Sequence, residues 1–189
     1  MRVVFVGPPG SGKGTQAKLL QERLGLVYIG TGDILRDVIE RGTDVGKRVA
    51  PVLAAGQLVP DSLVNDLIAE VLRRPNGPKT FILDGYPRTT AQAVAFDALL
   101  AELGLDLRAV VHFQIDEEVV VKRLVGQKGR GRDDDSEDTV RHRLRVFRET
   151  SHELIEHYRK QGILHEVAAN DTIDHLYATI TNLLRPRSS

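Results

Sequence analysis

The chain has 189 residues, enough for one substantial core with small inserted lobes but hardly for two full domains. Its 26 lysines and arginines balance 26 aspartates and glutamates, so no overall field favours nucleic acid or an anionic membrane, and clustered arginines read as local sites. No cysteine is present, which excludes disulfides, a thiol nucleophile and cysteine-based zinc sites, and no apolar stretch reaches the roughly 18 residues of a membrane span.

In chain order, the apolar run at residues 3–6 reads as a buried strand that feeds Gly7-Pro8-Pro9-Gly10-Ser11-Gly12-Lys13-Gly14-Thr15. A strand starting that early leaves no room for a signal peptide, and the expectation is a soluble, cytoplasmic protein. The glycines let successive backbone N–H groups converge on one anion, Lys13 adds a positive charge, and a helix expected over 16–24 aims its positive dipole end at the same spot. This matches the G-x-x-x-x-G-K phosphate loop in its required strand-to-helix context. One departure is visible: Gly14 follows the lysine, and the hydroxyl comes one place later, at Thr15. A glycine-rich turn without a ligand is the alternative, disfavoured because its lysine would be left unpaired.

A second strand, 27–29, runs into Gly30-Thr31-Gly32-Asp33 with Arg36 a helical turn on, a spacing that lets Thr31 and Arg36 face one ligand; a capped helix with a solvated arginine explains it equally. Residues 30–79 carry several helical patterns punctuated by Gly42, Gly46, Gly56 and Pro60, more than one crossover needs, so a small helical lobe is expected there. The third strand, 80–83, ends in Asp84-Gly85-Tyr86-Pro87-Arg88-Thr89. A carboxylate at a strand tip beside a phosphate loop suits holding water on Mg²⁺, and Arg88 can fork onto a phosphate; Asp84 as a helix cap is the alternative.

A fourth strand, 109–115, precedes a helix over 117–125. Residues 126–135, Gly-Gln-Lys-Gly-Arg-Gly-Arg-Asp-Asp-Asp, are too polar to pack as core and are expected to form a mobile charged flap before a long helix over 136–161 that Asp135 could cap. A last strand is expected at 163–167. Because the first, third and fourth strands are nearly continuously apolar, the fold class is α/β: a five-stranded parallel sheet covered by helices on both faces, with ligands beyond the carboxyl ends of the strands.

Taken together these segments resemble the adenylate kinases, within the nucleoside monophosphate kinase family, nearly end to end. The resemblance is carried by Gly7 to Thr15 as spelled above, Thr31-Gly32-Asp33 with Arg36, Gly56-Gln57-Leu58-Val59-Pro60-Asp61, Asp84-Gly85-Tyr86-Pro87-Arg88 with Gln92, and Gly131-Arg132-Asp133-Asp134-Asp135 with Arg143. Gly14 before Thr15 is the normal form of that family. The resemblance implies a P-loop kinase with core 1–29, 60–125 and 136–189, an AMP-binding lobe at 30–59 and a short lid at 126–135. The implied reaction is reversible transfer of the terminal phosphoryl group of MgATP to AMP, giving two ADP and maintaining adenine nucleotide balance.

The same resemblance places ATP on Gly10, Ser11, Gly12, Lys13, Gly14 and Thr15, with Arg123 and Arg132. AMP falls to Thr31, Arg36, Leu58, Val59, Gly85, Arg88, Gln92, Arg132 and Arg143. Catalysis is then expected from Lys13, Arg88, Arg132 and Arg143, with Asp84 arranging magnesium waters and Thr15 a further candidate for the ion. No zinc, nucleic acid or membrane partner is implied, and a monomer is expected. None of the six histidines falls in a motif, and no general base is needed, because the phosphate of AMP is already anionic. Gln127 stands where relatives with longer lids often carry an arginine, which leaves Arg130 or Lys128 to supply that charge, and Asn170-Asp171 departs from the usual turn beside the ATP adenine. A UMP/CMP kinase is the nearest alternative; such relatives usually have alanine at the place of Thr31 and phenylalanine at that of Tyr86, so Thr31, Tyr86 and Gln92 favour AMP. A nucleotide-binding regulatory protein without catalysis is the other.

Overall fold

The structure, a computed structural model, describes residues 1–125 and 136–185. Strand β1 (Arg2–Val6) leads into helix α1 (Lys13–Leu24), then β2 (Val27–Gly30), α2 (Thr31–Glu40), α3 (Asp44–Ala54) and α4 (Asp61–Arg73). There follow β3 (Phe81–Asp84), α5 (Thr90–Glu102), β4 (Ala109–Gln114), α6 (Glu117–Val125), α7 (Glu137–Lys160), β5 (Leu164–Ala168) and α8 (Ile173–Leu184). The five strands form one sheet in the order β2-β3-β1-β4-β5, and every pairing is parallel.

Alternation along the strands divides the core. Val4 and Val6 of β1, with Phe81, Leu83 and Val110, face α4, α5 and α7 through Ile68, Phe96 and Leu154. Val3 and Phe5, with Ile82, Val111 and Phe113, face α1 and α8 through Leu20 and Ile180. Both faces are therefore covered, and this is why β1, β3 and β4 read as nearly continuous apolar runs. Phe5 and Phe113 meet edge to face at 4.9 Å across β1 and β4.

Helix starts follow the sequence chemistry closely. The hydroxyls of Thr43, Thr89, Ser136 and Thr172 accept hydrogen bonds from backbone N–H groups of Gly46, Gln92, Thr139 and His175, capping α3, α5, α7 and α8. Ser136 thus takes the capping role considered for Asp135. Helix α1 begins at Lys13, three residues before the expected start, because Gly12 supplies the turn and lets Gly14 and Thr15 join the first helical turn. The lobe expected at 30–59 holds α2 and α3, which pack on each other, while α4 sends Val64, Ile68 and Leu72 into the main core. The charged interval 126–135 lies outside the described residues, and with it Gln127, Lys128, Arg130, Arg132, Asp133, Asp134 and Asp135.

Candidate functional site

Parallel register fixes the site. Asp84 pairs with Phe5 of β1 on one side and with Gly30 of β2 on the other, so the glycine loop, the Asp84 turn and Thr31 emerge side by side at one carboxyl edge of the sheet.

The loop 7–12 closes on itself before α1. Gly10 has φ +76°, and a Cβ there would fall 2.9 Å from Cγ of Leu124, because α6 packs directly against the turn; only glycine fits. Gly12 precedes the helix without any side-chain cap, so the first N–H groups of α1 have no side chain to bond and remain donors for an anion. Lys13 folds back over the loop, its Nζ donating to Gly7 O and Pro8 O at 2.8 Å and lying 3.3 Å from the buried Ser11 Oγ. The loop's own carbonyls thus pair the lysine, and contrary to expectation a loop without a ligand would not leave it unpaired. Burial pushes the Lys13 ammonium below its ordinary value; Asp84 opposes the shift and Arg88 adds to it, so these three charges sense one another.

Asp84 caps no helix, since α5 is capped by Thr89. Its carboxylate lies 3.9 Å from where a Cβ on Gly14 would sit, facing the first turn of α1, and accepts from the Tyr28 hydroxyl at 3.4 Å. Burial and the Asp84 charge raise the Tyr28 phenol well above its ordinary value, keeping it a donor. Thr31 is buried and donates its hydroxyl to Asp84 O at 2.7 Å, which ties α2 to the tip of β3; Gly30, with no side-chain bond, occupies the cap position of α2. Gly85, at φ +83°, would place a Cβ 2.7 Å from the Thr31 hydroxyl. Arg36 is exposed and pairs with Asp33, a turn back on the same helix.

After a cis Tyr86–Pro87 bond, Arg88 is exposed at the rim, its Nε donating to Gly85 O at 2.8 Å. Its backbone N–H donates to Gln92 Oε1 at 2.7 Å. Gln92 is only 2 % exposed, and its Nε2 donates to Asp61 Oδ1 at 2.8 Å. Val59 is buried in the core, so only its backbone is available to a ligand, whereas Leu58 is half-buried. Arg143 of α7 is half-buried against Gly56, 3.5 Å from where a Cβ there would stand, which brings α7 to the turn carrying Leu58 and Val59. Arg123 donates from Nη1 to Ala169 O at 3.3 Å and so braces the turn of Asn170 and Asp171. Thr15 is exposed in the first turn of α1.

The structure therefore gathers Lys13, Asp84, Thr31, Gly85 and Arg88 at the strand tips, with Gln92 just behind, while Arg36, Arg123 and Arg143 stand further out on helices. Sequence reasoning assigned nothing to Tyr28, Asp61 and Leu124, nor to Asn65, whose Oδ1 accepts from the Tyr86 hydroxyl at 2.7 Å. Asp61 was in view at the end of the Gly56 to Asp61 segment, but the partners that give it a role lie about thirty residues away, at Thr89 and Gln92.

A family model described as adenylate kinase matches residues 5–163. An adenylate kinase of Rhizobium meliloti (strain 1021) is 44 % identical over 191 residues, covering 97 % of this chain and all of that protein. One from Thermus thermophilus is 47 % identical over 94 % of both chains, and one from Archaeoglobus fulgidus is 39 % identical over 97 % of this chain and 98 % of its own.

Proposed function

The chain belongs to the adenylate kinase family, and from that premise we propose how its residues divide the work of phosphoryl transfer. It is a nucleoside monophosphate kinase, a phosphotransferase that converts ATP and AMP into two ADP. The observation that carries the residue assignment is the register of Asp84 with Phe5 and Gly30, which sets an uncapped helix start, a half-buried lysine and an arginine-bearing turn side by side.

In this reading the ATP phosphates lie on the N–H groups of Gly10 to Thr15 at the start of α1, and Lys13 exchanges its loop carbonyls for phosphate oxygens. AMP lies across Thr31, Leu58, Val59, Gly85 and Gln92, with its phosphate drawn toward Arg36, Arg88, Arg132 and Arg143; Arg132 is outside the described residues. Arg123 steadies the turn beside the ATP base through Ala169. No residue need take a proton, because the attacking oxygen belongs to a phosphate that is already charged. Catalysis consists of alignment and of cations set where negative charge spreads, where one arginine can be worth about a thousandfold.

A divalent ion fits the donor set. Among the described residues no group of three or more His, Cys, Asp or Glu could hold a metal, so Mg²⁺ would take most of its oxygens from phosphate and water, with Asp84 and the Thr15 hydroxyl the protein's contribution. The ion would supply neutralisation of the negative charge on the phosphates as the terminal phosphoryl group moves. Tyr28 holds the Asp84 carboxylate from one side, leaving its other oxygen for water. Among the described residues no helix is long and apolar enough to cross a membrane; a monomeric cytoplasmic enzyme completes the reading.

The test is a coupled assay of ADP production with AMP, UMP, CMP, GMP and dAMP as competing acceptors. A preference for AMP supports the assignment. A preference for UMP or CMP would move the chain to a sister activity, and no turnover of any acceptor would overturn the catalytic reading.

A further inference from the structure

We propose that Asp61 is a positioning residue that sets base choice at the monophosphate site, by fixing which end of the Gln92 carboxamide is offered to the base. The proposal rests on the reading of Gln92 as an AMP contact.

Helix α4 grips the connection between β3 and α5 at two points one turn apart. Asp61 Oδ2 accepts from the Thr89 hydroxyl at 2.7 Å while its Oδ1 accepts from Gln92 Nε2 at 2.8 Å. Asn65 Oδ1 accepts from the Tyr86 hydroxyl at 2.7 Å. Gln92 Oε1 in turn accepts the Arg88 N–H at 2.7 Å. A carboxamide has two N–H donors and two oxygen lone pairs. These bonds engage one of each, and one N–H and one lone pair remain, on neighbouring atoms of the same planar group.

The order of that remaining pair is not free. A carboxylate only accepts and a backbone N–H only donates. Turning the carboxamide end for end would therefore set its NH₂ against the Arg88 N–H and its oxygen against Asp61, replacing two hydrogen bonds by two repulsions. Adenine and cytosine present an amino donor beside a ring-nitrogen acceptor, which suits a glutamine held in one sense. Guanine and uracil present the reverse, a carbonyl acceptor beside a ring N–H. An unrestrained glutamine rotates and serves both. Held by Asp61 on one side and Arg88 N–H on the other, it accepts adenine and rejects guanine on polarity, although the two purines are alike in size.

The experiment measures kcat/KM for AMP, GMP, UMP and CMP in Asp61→Ala, with Asp61→Ser as the second truncation because serine suits a helix start and its hydroxyl is too short to reach Gln92. The expected result is a rise of about tenfold in the GMP:AMP and UMP:AMP ratios, the loss of one discriminating hydrogen bond. The AMP KM rises, while CMP:AMP and the KM for ATP stay within about twofold. Asp61→Asn, whose carboxamide can accept from Nε2 in one sense and donate to Oε1 in the other, should shift the ratios in the same direction as the truncations but by less. In a Gln92→Ala background, Asp61→Ala should shift the ratios no further. Ratios that stay put in the truncations, or that rise for CMP as much as for GMP, overturn the proposal. If Gln92→Ala leaves AMP preference and KM untouched, the reading of Gln92 itself fails; if it relaxes preference while the Asp61 truncations do not, Asp61 alone loses its role.

Discussion

Single residues carry opposite kinds of cost at this site. Lys13 is held by two carbonyls and a nearby hydroxyl at 2.8–3.3 Å, so Lys13→Met removes a charge that the loop itself has satisfied. Turnover is expected to fall by about a thousandfold or more, with melting temperature close to wild type. Arg88→Ala is expected to do the same, since the residue is exposed and, once its Nε bond to Gly85 O is lost, the turn is still held by the Arg88 N–H and by Tyr86 and Thr89. Near-normal ADP formation by either folded variant would remove that residue from the catalytic set. Tyr158 shows the reverse economy: it is fully buried, its phenol is pushed well above the ordinary value by burial and Asp97, and its hydroxyl meets no hydrogen-bond partner among the described residues. Tyr158→Phe deletes that orphaned group and should be neutral or stabilising by about 1 kcal/mol, a melting-temperature rise of roughly 2–4 °C. A loss of stability would mean that the hydroxyl has a partner after all.

At the scale of elements, the parallel strands β4 and β5 are joined not only by their backbones but by His112 Nδ1 near Glu166 Oε1 at 3.5 Å, with Arg159 of α7 donating to the same oxygen at 3.0 Å. Burial holds the His112 imidazole below its ordinary value of 6.5; Glu166 opposes the shift and Arg159 reinforces it. With the folded pKa depressed, the unfolded chain binds this proton first as pH drops below 6.5, so stability declines from there until the folded form is protonated too. His112→Gln should therefore lose less melting temperature than wild type between about pH 7.5 and about pH 5.5; an equal or larger acid loss would contradict this. The five strands and the helices α6 and α7 were legible to within a few residues, whereas α5 and α8 were given no bounds. The first, third and fourth strands are short, mainly apolar runs between glycine or polar breaks, and Ser136 marks a helix start in the letters. Helix α1 starts at Lys13 and not at Gln16 because the turn at Gly12 overrides the weak local helix propensity of Gly14 and Thr15.

For the whole molecule, the reaction requires two nucleotides held at once, and the proposed reading puts one on the glycine loop and the other beneath α2 and α3. A single compound joining two adenosines through five phosphates spans both. At about a thousandfold above its Kd it should stabilise the fold by about 4 kcal/mol, a rise of roughly 8–16 °C in melting temperature, whereas ATP or AMP at equal concentration gives less. An unchanged melting temperature would refute the joint site. By itself the sequence determined the chemistry that lies in contiguous stretches: Gly7 to Thr15, Asp84 to Arg88, and the nearly continuous apolar runs of β1, β3 and β4 that call for a doubly covered parallel sheet. Those signals are local, because a phosphate loop or a buried strand is specified by neighbours in the chain. Only the tertiary structure decided the strand order β2-β3-β1-β4-β5, the placing of Tyr28 on Asp84, the closeness of Gly56 to Arg143, and the meeting of Asp61 with Thr89 and Gln92. Such pairings join residues tens of positions apart, and a hydrogen bond between distant side chains leaves no period or spacing in either segment from which it could be read.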